Sequence, residues 1–159
     1  LFKPLPAGLR LTDPVAFLAT WFGSGLAARA PGTWGSLAAL PFAYGLMLAG
    51  GTWLLLLAAI FVFVLGIWAA DKYAALLGTS DPSEVVIDEV AAMWLTLIAA
   101  PMTPLGWLIA FGLFRLFDIA KPWPVSLADR TLKGGFGIMA DDILAAIYAM
   151  IVLVLTRAI

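Results

Sequence analysis

The 159-residue chain contains no cysteine and no histidine. The missing thiols exclude disulfides, thiol nucleophiles and thiolate metal sites. The missing imidazoles exclude histidine acid–base chemistry, phosphohistidine intermediates and the usual zinc centres. Any metal must be held by oxygen, which favours a hard cation such as Mg2+, Mn2+ or Ca2+. Charge is also scarce: 12% of residues are charged, against about 25% in an ordinary soluble domain. Nine basic and ten acidic residues give a net charge of −1 and form no basic stripe, so nucleic acid is not an expected partner. Apolar residues make up 64% of the chain, too many for a water-facing shell. The expected class is a small integral membrane protein forming one domain over residues 1–159. The stretch Leu1 to Arg10 is short and broken by proline, and is not expected to act as a cleavable signal peptide.

The few charges are blocked. Lys3, Arg10, Asp13 and Arg29 form the first block, and Ala30 to Ala70 carries none. Asp71, Lys72, Asp81, Glu84, Asp88 and Glu89 form the second, and Val90 to Phe114 is again neutral. The third holds Arg115, Asp118, Lys121, Asp129, Arg130, Lys133, Asp141 and Asp142, before a last apolar run from Ile143 to Thr156. Each of the first two neutral runs has a breaker near its middle, Gly50-Gly51 and Pro101-Met102-Thr103-Pro104. A crossing needs about 20 apolar helical residues. Each run therefore reads as a helical hairpin that returns to the side it left. Two returning hairpins put all three charge blocks on one side. Eight of the nine basic residues lie in these blocks, which marks that side as cytoplasmic.

The predicted helices are Pro14–Gly25, Trp34–Ala49, Thr52–Leu77, Ser83–Ala100, Pro104–Ala120, Pro124–Leu132 and Ala140–Arg157. Sustained alternation is missing, which argues against a barrel. The fold class is therefore all-α: a compact polytopic bundle of two helical hairpins and a C-terminal helix.

Four polar segments stand out. Asp88-Glu89 lies at the entry to a neutral run, in the second turn of a helix starting at Ser83. Acids there are costly unless paired or metal-bound, although they could simply face a positive helix N-terminus. Arg115, Asp118 and Lys121 recur at three-residue spacing and share a face. They read either as an interfacial salt-bridge ladder or as a phosphate clamp beside a carboxylate. Gly134-Gly-Phe-Gly-Ile-Met-Ala-Asp141-Asp142 reads as a glycine-rich turn before two acids at a helix start, where capping competes with cation binding. Arg29-Ala-Pro-Gly-Thr33-Trp-Gly-Ser36 could be a capping turn or could offer free amides to an anion. Asp71, Lys72 and Asp129 have no distinctive setting and read as solvated.

Five acids (Asp88, Glu89, Asp118, Asp141, Asp142) and three bases (Arg115, Lys121, Arg130) can thus converge at one interfacial site. Carboxylates without histidine suit Mg2+, and the bases suit phosphate oxygens. The combination reads as metal-assisted phosphoryl chemistry on a membrane-embedded substrate.

At these residues the chain resembles the phosphatidylglycerophosphatase A family, bacterial inner-membrane lipid phosphatases, from about Phe22 to Ala146. The likeness rests on Phe22-Gly-Ser-Gly25, Pro31-Gly-Thr-Trp-Gly-Ser36-Leu-Ala-Ala-Leu-Pro41, Asp88-Glu89 with Met93-Trp94, Phe114-Arg-Leu-Phe-Asp118-Ile-Ala-Lys-Pro-Trp-Pro124, Asp129-Arg130 and Gly134 to Asp142, in order. It departs at Ala92 and Ala146, where the family often has glycine. The resemblance implies Mg2+-dependent hydrolysis of phosphatidylglycerophosphate to phosphatidylglycerol and inorganic phosphate in phospholipid biosynthesis. It implies Asp88, Glu89, Asp118, Asp141 and Asp142 as metal ligands and catalytic acids. Substrate would be bound by Arg115 and Lys121, with Thr33 and Ser36 as further contacts and Arg130 among the converging bases. Direct attack by water is expected over an aspartyl-phosphate route, whose Asp-x-Asp-x-Thr motif is absent. Two rivals stay open. A CDP-alcohol phosphatidyltransferase lacks its Asp-Gly-x2-Ala-Arg signature here. A small transporter or ion-binding bundle would need its polar groups near the bilayer midplane.

Overall fold

The computed structural model describes residues 2–156. Six α-helices follow in order: α1 (Pro14–Ala19), α2 (Pro31–Leu77), α3 (Ile87–Leu97), α4 (Pro104–Ala120), α5 (Val125–Thr131) and α6 (Gly134–Thr156), with a 3-10 turn at Ser24–Leu26. Among the described residues there is no strand beyond an isolated bridge between Phe2 and Ala27.

The 47-residue α2 is two limbs. Gly51 sits at φ 64°, ψ −158°, outside the helical region and accessible mainly to glycine. Packing shows that the limbs fold back on each other. A Cβ built on Gly35 would stand 2.6 Å from Val86 Cβ, and one on Gly66 would stand 3.4 Å from Ile87 Cγ2. Val86 and Ile87 are consecutive, whereas a straight helix would hold Gly35 and Gly66 about 46 Å apart. The expected turn at Gly50-Gly51 is therefore the bend of a hairpin. The second pair, α3 and α4, is antiparallel as well: Glu89 at the start of α3 meets Arg115 near the end of α4. Thr103 opens α4 by accepting the Gly106 N–H at 3.0 Å.

Helix α3 forms the axis. Nine of its eleven residues are buried, and α2, α4 and α6 all pack around it. At eleven residues it rises about 16 Å, too little to cross a hydrocarbon core of about 30 Å. Ala92 on α3 and Ala146 on α6 are fully buried, so their methyl groups are accommodated in the packed interior. Two helices, Pro31–Leu77 and Gly134–Thr156, are long and apolar enough to cross a membrane by length and composition.

Three boundaries differ from the sequence reading by four residues or more; smaller shifts start α2 at Pro31 instead of Trp34, end α3 at Leu97 instead of Ala100 and trim α5 to Val125–Thr131. The first helix stops at Ala19 instead of Gly25, because Trp21, Phe22 and Gly23 take positive φ (43°, 59° and 91°) and reverse the chain. Helix α3 starts at Ile87 instead of Ser83. The Val86 N–H donates to the Ala19 carbonyl at 2.8 Å, and the Glu84 carbonyl packs directly on Gly25, so residues 79–86 are held as a loop. Asp88 and Glu89 accordingly lie in the first helical turn, not the second. Helix α6 begins at Gly134 instead of Ala140, because Asp71 on the second limb of α2 accepts the Gly135 N–H at 3.1 Å. Asp71 is a cap supplied from another helix, and Asp141 and Asp142 lie well inside α6. Arg157, the expected last residue of this helix, lies outside the described residues.

Gly135 is the tightest of these contacts. A Cβ there would fall on the Ile67 carbonyl oxygen, a backbone atom that cannot swing away. Gly135→Ala should cost about 1–3 kcal/mol and lower the melting temperature in detergent, by forcing α6 off α2. Thermal unfolding of the purified variant reads this directly.

Candidate active site

One end of the bundle collects the start of α2, the 80–85 loop, the start of α3, the end of α4, and the α5–α6 turn with the early turns of α6. They enclose a cavity of about 290 Å³. Seven acids line it, Asp81, Asp88, Glu89, Asp118, Asp129, Asp141 and Asp142, with three cations, Arg115, Lys121 and Lys133.

The deep part is a three-carboxylate cluster. Asp88, Glu89 and Asp142 each place one ligand oxygen within 4.8 Å of the other two. Asp88 and Asp142 are 9% and 4% exposed. Asp88 Oδ1, Glu89 Oε2 and Asp142 Oδ2 are buried with no hydrogen-bond partner among the described residues. Consecutive residues on a helix point about 100° apart, so Asp88 and Glu89 flank a space that Asp142 closes from α6. Three anionic groups this close repel, and buried oxygens without donors are costly. A cation between them removes both penalties. All three donors are carboxylate oxygens, so the site fits a hard divalent ion.

Arg115 stands beside this cluster. Its Nη1 lies 2.6 Å from Asp118 Oδ2 and 3.6 Å from Glu89 Oε1. These contacts fix its charge without satisfying its donors: Nε and Nη1 remain buried without an aligned acceptor. Gly32, in the first turn of α2, packs against the same pair. A Cβ there would overlap Glu89 Oε1 and stand 3.1 Å from Arg115 Nη1. The obstructed atom is the free end of a side chain, so the carboxylate would yield and the backbone would not. Gly32→Ala should therefore lower turnover by about tenfold or more with little change in melting temperature. Parallel activity and thermal-unfolding measurements separate the two effects.

Toward solvent the cavity is held by Lys121. This residue caps α4 in the left-handed region, at φ 43°, directly before Pro122. Its Nζ bonds Asp141 Oδ2 at 3.0 Å and Asp129 Oδ1 at 2.5 Å. Burial works against the ammonium, but the hydrogen bonds to Asp129 and Asp141 outweigh it and raise its pKa. The Lys121 hydrogen bond also holds the Asp129 carboxyl below its ordinary value. The pair is thus ionised at neutral pH. The Asp129 contribution is present above the unfolded carboxylate value of about 3.9 and disappears as pH falls through the lower folded value. Tyr148 on α6 steadies the turn after Lys121 by donating to the Trp123 carbonyl at 2.7 Å.

The structure gathers all five acids expected from sequence, with Arg115 and Lys121, into one cavity. It does not treat the acids alike: three form the cluster, Asp118 sits on Arg115, and Asp141 sits on Lys121. Thr33, Ser36 and Arg130 do not line the cavity. The Ser36 hydroxyl is fully buried and donates to the Gly32 carbonyl at 2.9 Å, so it is spent inside its own helix. Arg130 is exposed on α5, and Thr33 lies just beyond the wall formed by residues 30–32. Asp129, read as solvated, is exposed and in addition pairs with Lys121, and Lys133 lines the cavity. Asp129 gave no periodic signal because its contact spans the Pro122–Pro124 turn. The glycines after Lys133 were the available hint that it lies at a tight turn.

A family model described as "Phosphatidylglycerophosphatase A" matches residues 17–157. The chain is 43% identical over 145 residues to the phosphatidylglycerophosphatase A of Haemophilus influenzae, covering 91% of this chain and 89% of that protein. It is 41% identical over 140 residues to the phosphatidylglycerophosphatase A of Escherichia coli, covering 87% and 81%. It is 39% identical over 153 residues to a candidate phosphatidylinositol-3-phosphatase of Bacteroides thetaiotaomicron, covering 88% and 91%. No solved structure gives a significant match.

Proposed function

Because the chain belongs to the phosphatidylglycerophosphatase A family, whose members are phosphoric monoester hydrolases, we propose that its acidic cavity hydrolyses phosphatidylglycerophosphate to phosphatidylglycerol and inorganic phosphate. The observation that carries this reading is the cluster of Asp88, Glu89 and Asp142, with its three orphaned oxygens, beside an arginine whose donors are unspent. These three residues would hold Mg2+. When bound, the ion supplies Lewis-acid stabilisation of charge on the phosphoryl oxygens. Arg115, fixed by Asp118 and Glu89, offers the unspent donors of its planar guanidinium to the same oxygens. Asp118 and Asp141 lie outside the three-oxygen cluster, and one of them takes the proton from the attacking water. Lys121, kept charged by Asp129 and Asp141, draws the dianionic headgroup into an otherwise acidic cavity.

The same reading places the protein in the bacterial inner membrane as a multi-pass bundle. Trp53, Leu108 and Leu155 are 77%, 66% and 78% exposed, and such an apolar exterior suits lipid, not water. The cavity and the charge blocks share one end of the bundle, while the 50–51 and 98–103 turns share the other. The excess of Lys and Arg at the cavity end favours a cytoplasmic site. Polar groups gathered at helix ends also favour a headgroup enzyme over a carrier with a midplane site.

Purified protein in detergent should release phosphate from phosphatidylglycerophosphate, stop on addition of EDTA and resume with excess Mg2+. No release, or release indifferent to EDTA, overturns the proposal.

A further inference from the structure

We propose that Lys133 binds the diester phosphate of the lipid headgroup, in a second phosphate subsite separate from the position where the terminal phosphate reacts. This inference rests on the function proposed above, because that substrate carries two phosphates joined by a glycerol bridge.

The cavity is graded from buried to exposed. The side chains of Glu89, Asp118 and Arg115 are 12%, 13% and 14% exposed, whereas those of Lys121 and Asp129 are 33% and 36% exposed. Lys133 is exposed and lines the cavity, which puts it at the outer end. The reacting phosphate belongs at the inner end, beside Arg115 and the three-carboxylate cluster. The diester, tethered to acyl chains outside the cavity, belongs nearer the mouth.

Charge balance points the same way. Arg115 is engaged by Glu89 and Asp118, and Lys121 by Asp129 and Asp141. Among the described residues, Lys133 is the one cavity-lining cation with no carboxylate partner. In a cavity with seven acids, an anionic group meets least competition there.

The backbone presenting this lysine is constrained. The Lys133 carbonyl accepts the Gly137 N–H at 3.3 Å, and Gly134 turns at φ 68°. The Gly135 N–H is anchored to Asp71 on α2. A Cβ on Gly137 would stand 2.6 Å from the Leu132 carbonyl carbon, so the turn closes tightly on itself. Lys133 is therefore held at a set place on the rim.

The two products separate the subsites. Phosphatidylglycerol carries the diester without the terminal phosphate, and inorganic phosphate occupies only the reacting position. Lys133→Ala should raise KM for phosphatidylglycerophosphate and the inhibition constant for short-chain phosphatidylglycerol by about tenfold. It should leave kcat and the inhibition constant for inorganic phosphate within about twofold, and Lys133→Arg should restore most of the loss. Calorimetric binding of dihexanoyl phosphatidylglycerol to wild type and Lys133→Ala gives the same comparison without turnover. Equal binding of that lipid by both proteins, or a matching loss for inorganic phosphate, overturns the subsite. Failure of the wild type to hydrolyse phosphatidylglycerophosphate instead overturns the function, and the two failures are distinct.

Discussion

Asp142→Asn and Glu89→Gln should each lower kcat by about a hundredfold to a thousandfold and raise the Mg2+ concentration needed for half-maximal rate. Each substitution keeps the volume of the side chain and removes one anionic donor from a cluster of three. Stability should move the other way. Without metal, Asp88, Glu89 and Asp142 crowd like charges in a buried space, and Asp142 Oδ2 has no donor among the described residues. Replacing one carboxylate by an amide relieves that repulsion, so Asp142→Asn in EDTA should melt no lower than wild type, and higher by an amount worth about 1 kcal/mol. Added Mg2+ should stabilise the wild type more than the variant. A variant that lost activity through misfolding would melt lower under both conditions. Asp129→Ala is the internal contrast. Its carboxylate supports Lys121 from the exposed rim, so its removal should act mainly on KM, by about threefold.

Arg115→Ala should damage both chemistry and fold. It removes the counter-charge of Asp118 at 2.6 Å and of Glu89 at 3.6 Å, all three side chains being mostly buried. Breaking a buried pair from one side strands the partner, at a cost of about 2–4 kcal/mol. The phosphoryl oxygens also lose a forked donor, and turnover should fall by about a hundredfold or more. Arg115→Lys separates the two roles. An ammonium keeps the charge, so the melting temperature should recover most of its loss. A point donor cannot reproduce the planar fork, so turnover should stay at least about tenfold down. Thermal unfolding and kcat of the two variants, measured side by side, test the division.

The helices and their pairing were legible because breakers interrupt otherwise neutral runs. Gly50-Gly51 and the Pro101–Pro104 segment mark the two bends, and nothing distant competes with them. The starts of α3 and α6 were not legible, because residues far away in sequence decide them. Asp81-Pro-Ser-Glu84 has the local form of a helix start, yet the Ala19 carbonyl takes the Val86 N–H and Gly25 packs against Glu84. The 134–139 stretch has the local form of a turn, yet Asp71, 64 positions before Gly135, caps it into α6. The acids of the site could be read because charge is so rare here that each block names an end of the bundle. Their division into a cluster, an arginine partner and a lysine partner could not, since it depends on how α3, α4 and α6 rotate against one another. Ser36 shows the limit of motif reading: it lies within a motif that carries the family resemblance, yet its hydroxyl turns back onto its own helix.

The three-carboxylate centre is tested most directly by titrating Mn2+ into metal-free protein and following the free ion by electron paramagnetic resonance. Wild type should bind the ion, Asp88→Asn, Glu89→Gln and Asp142→Asn should each weaken binding by about tenfold or more, and Asp129→Ala should bind as wild type does. Binding by Asp142→Asn as tight as that of the wild type, or no binding by the wild type, would contradict a metal centre at this cluster.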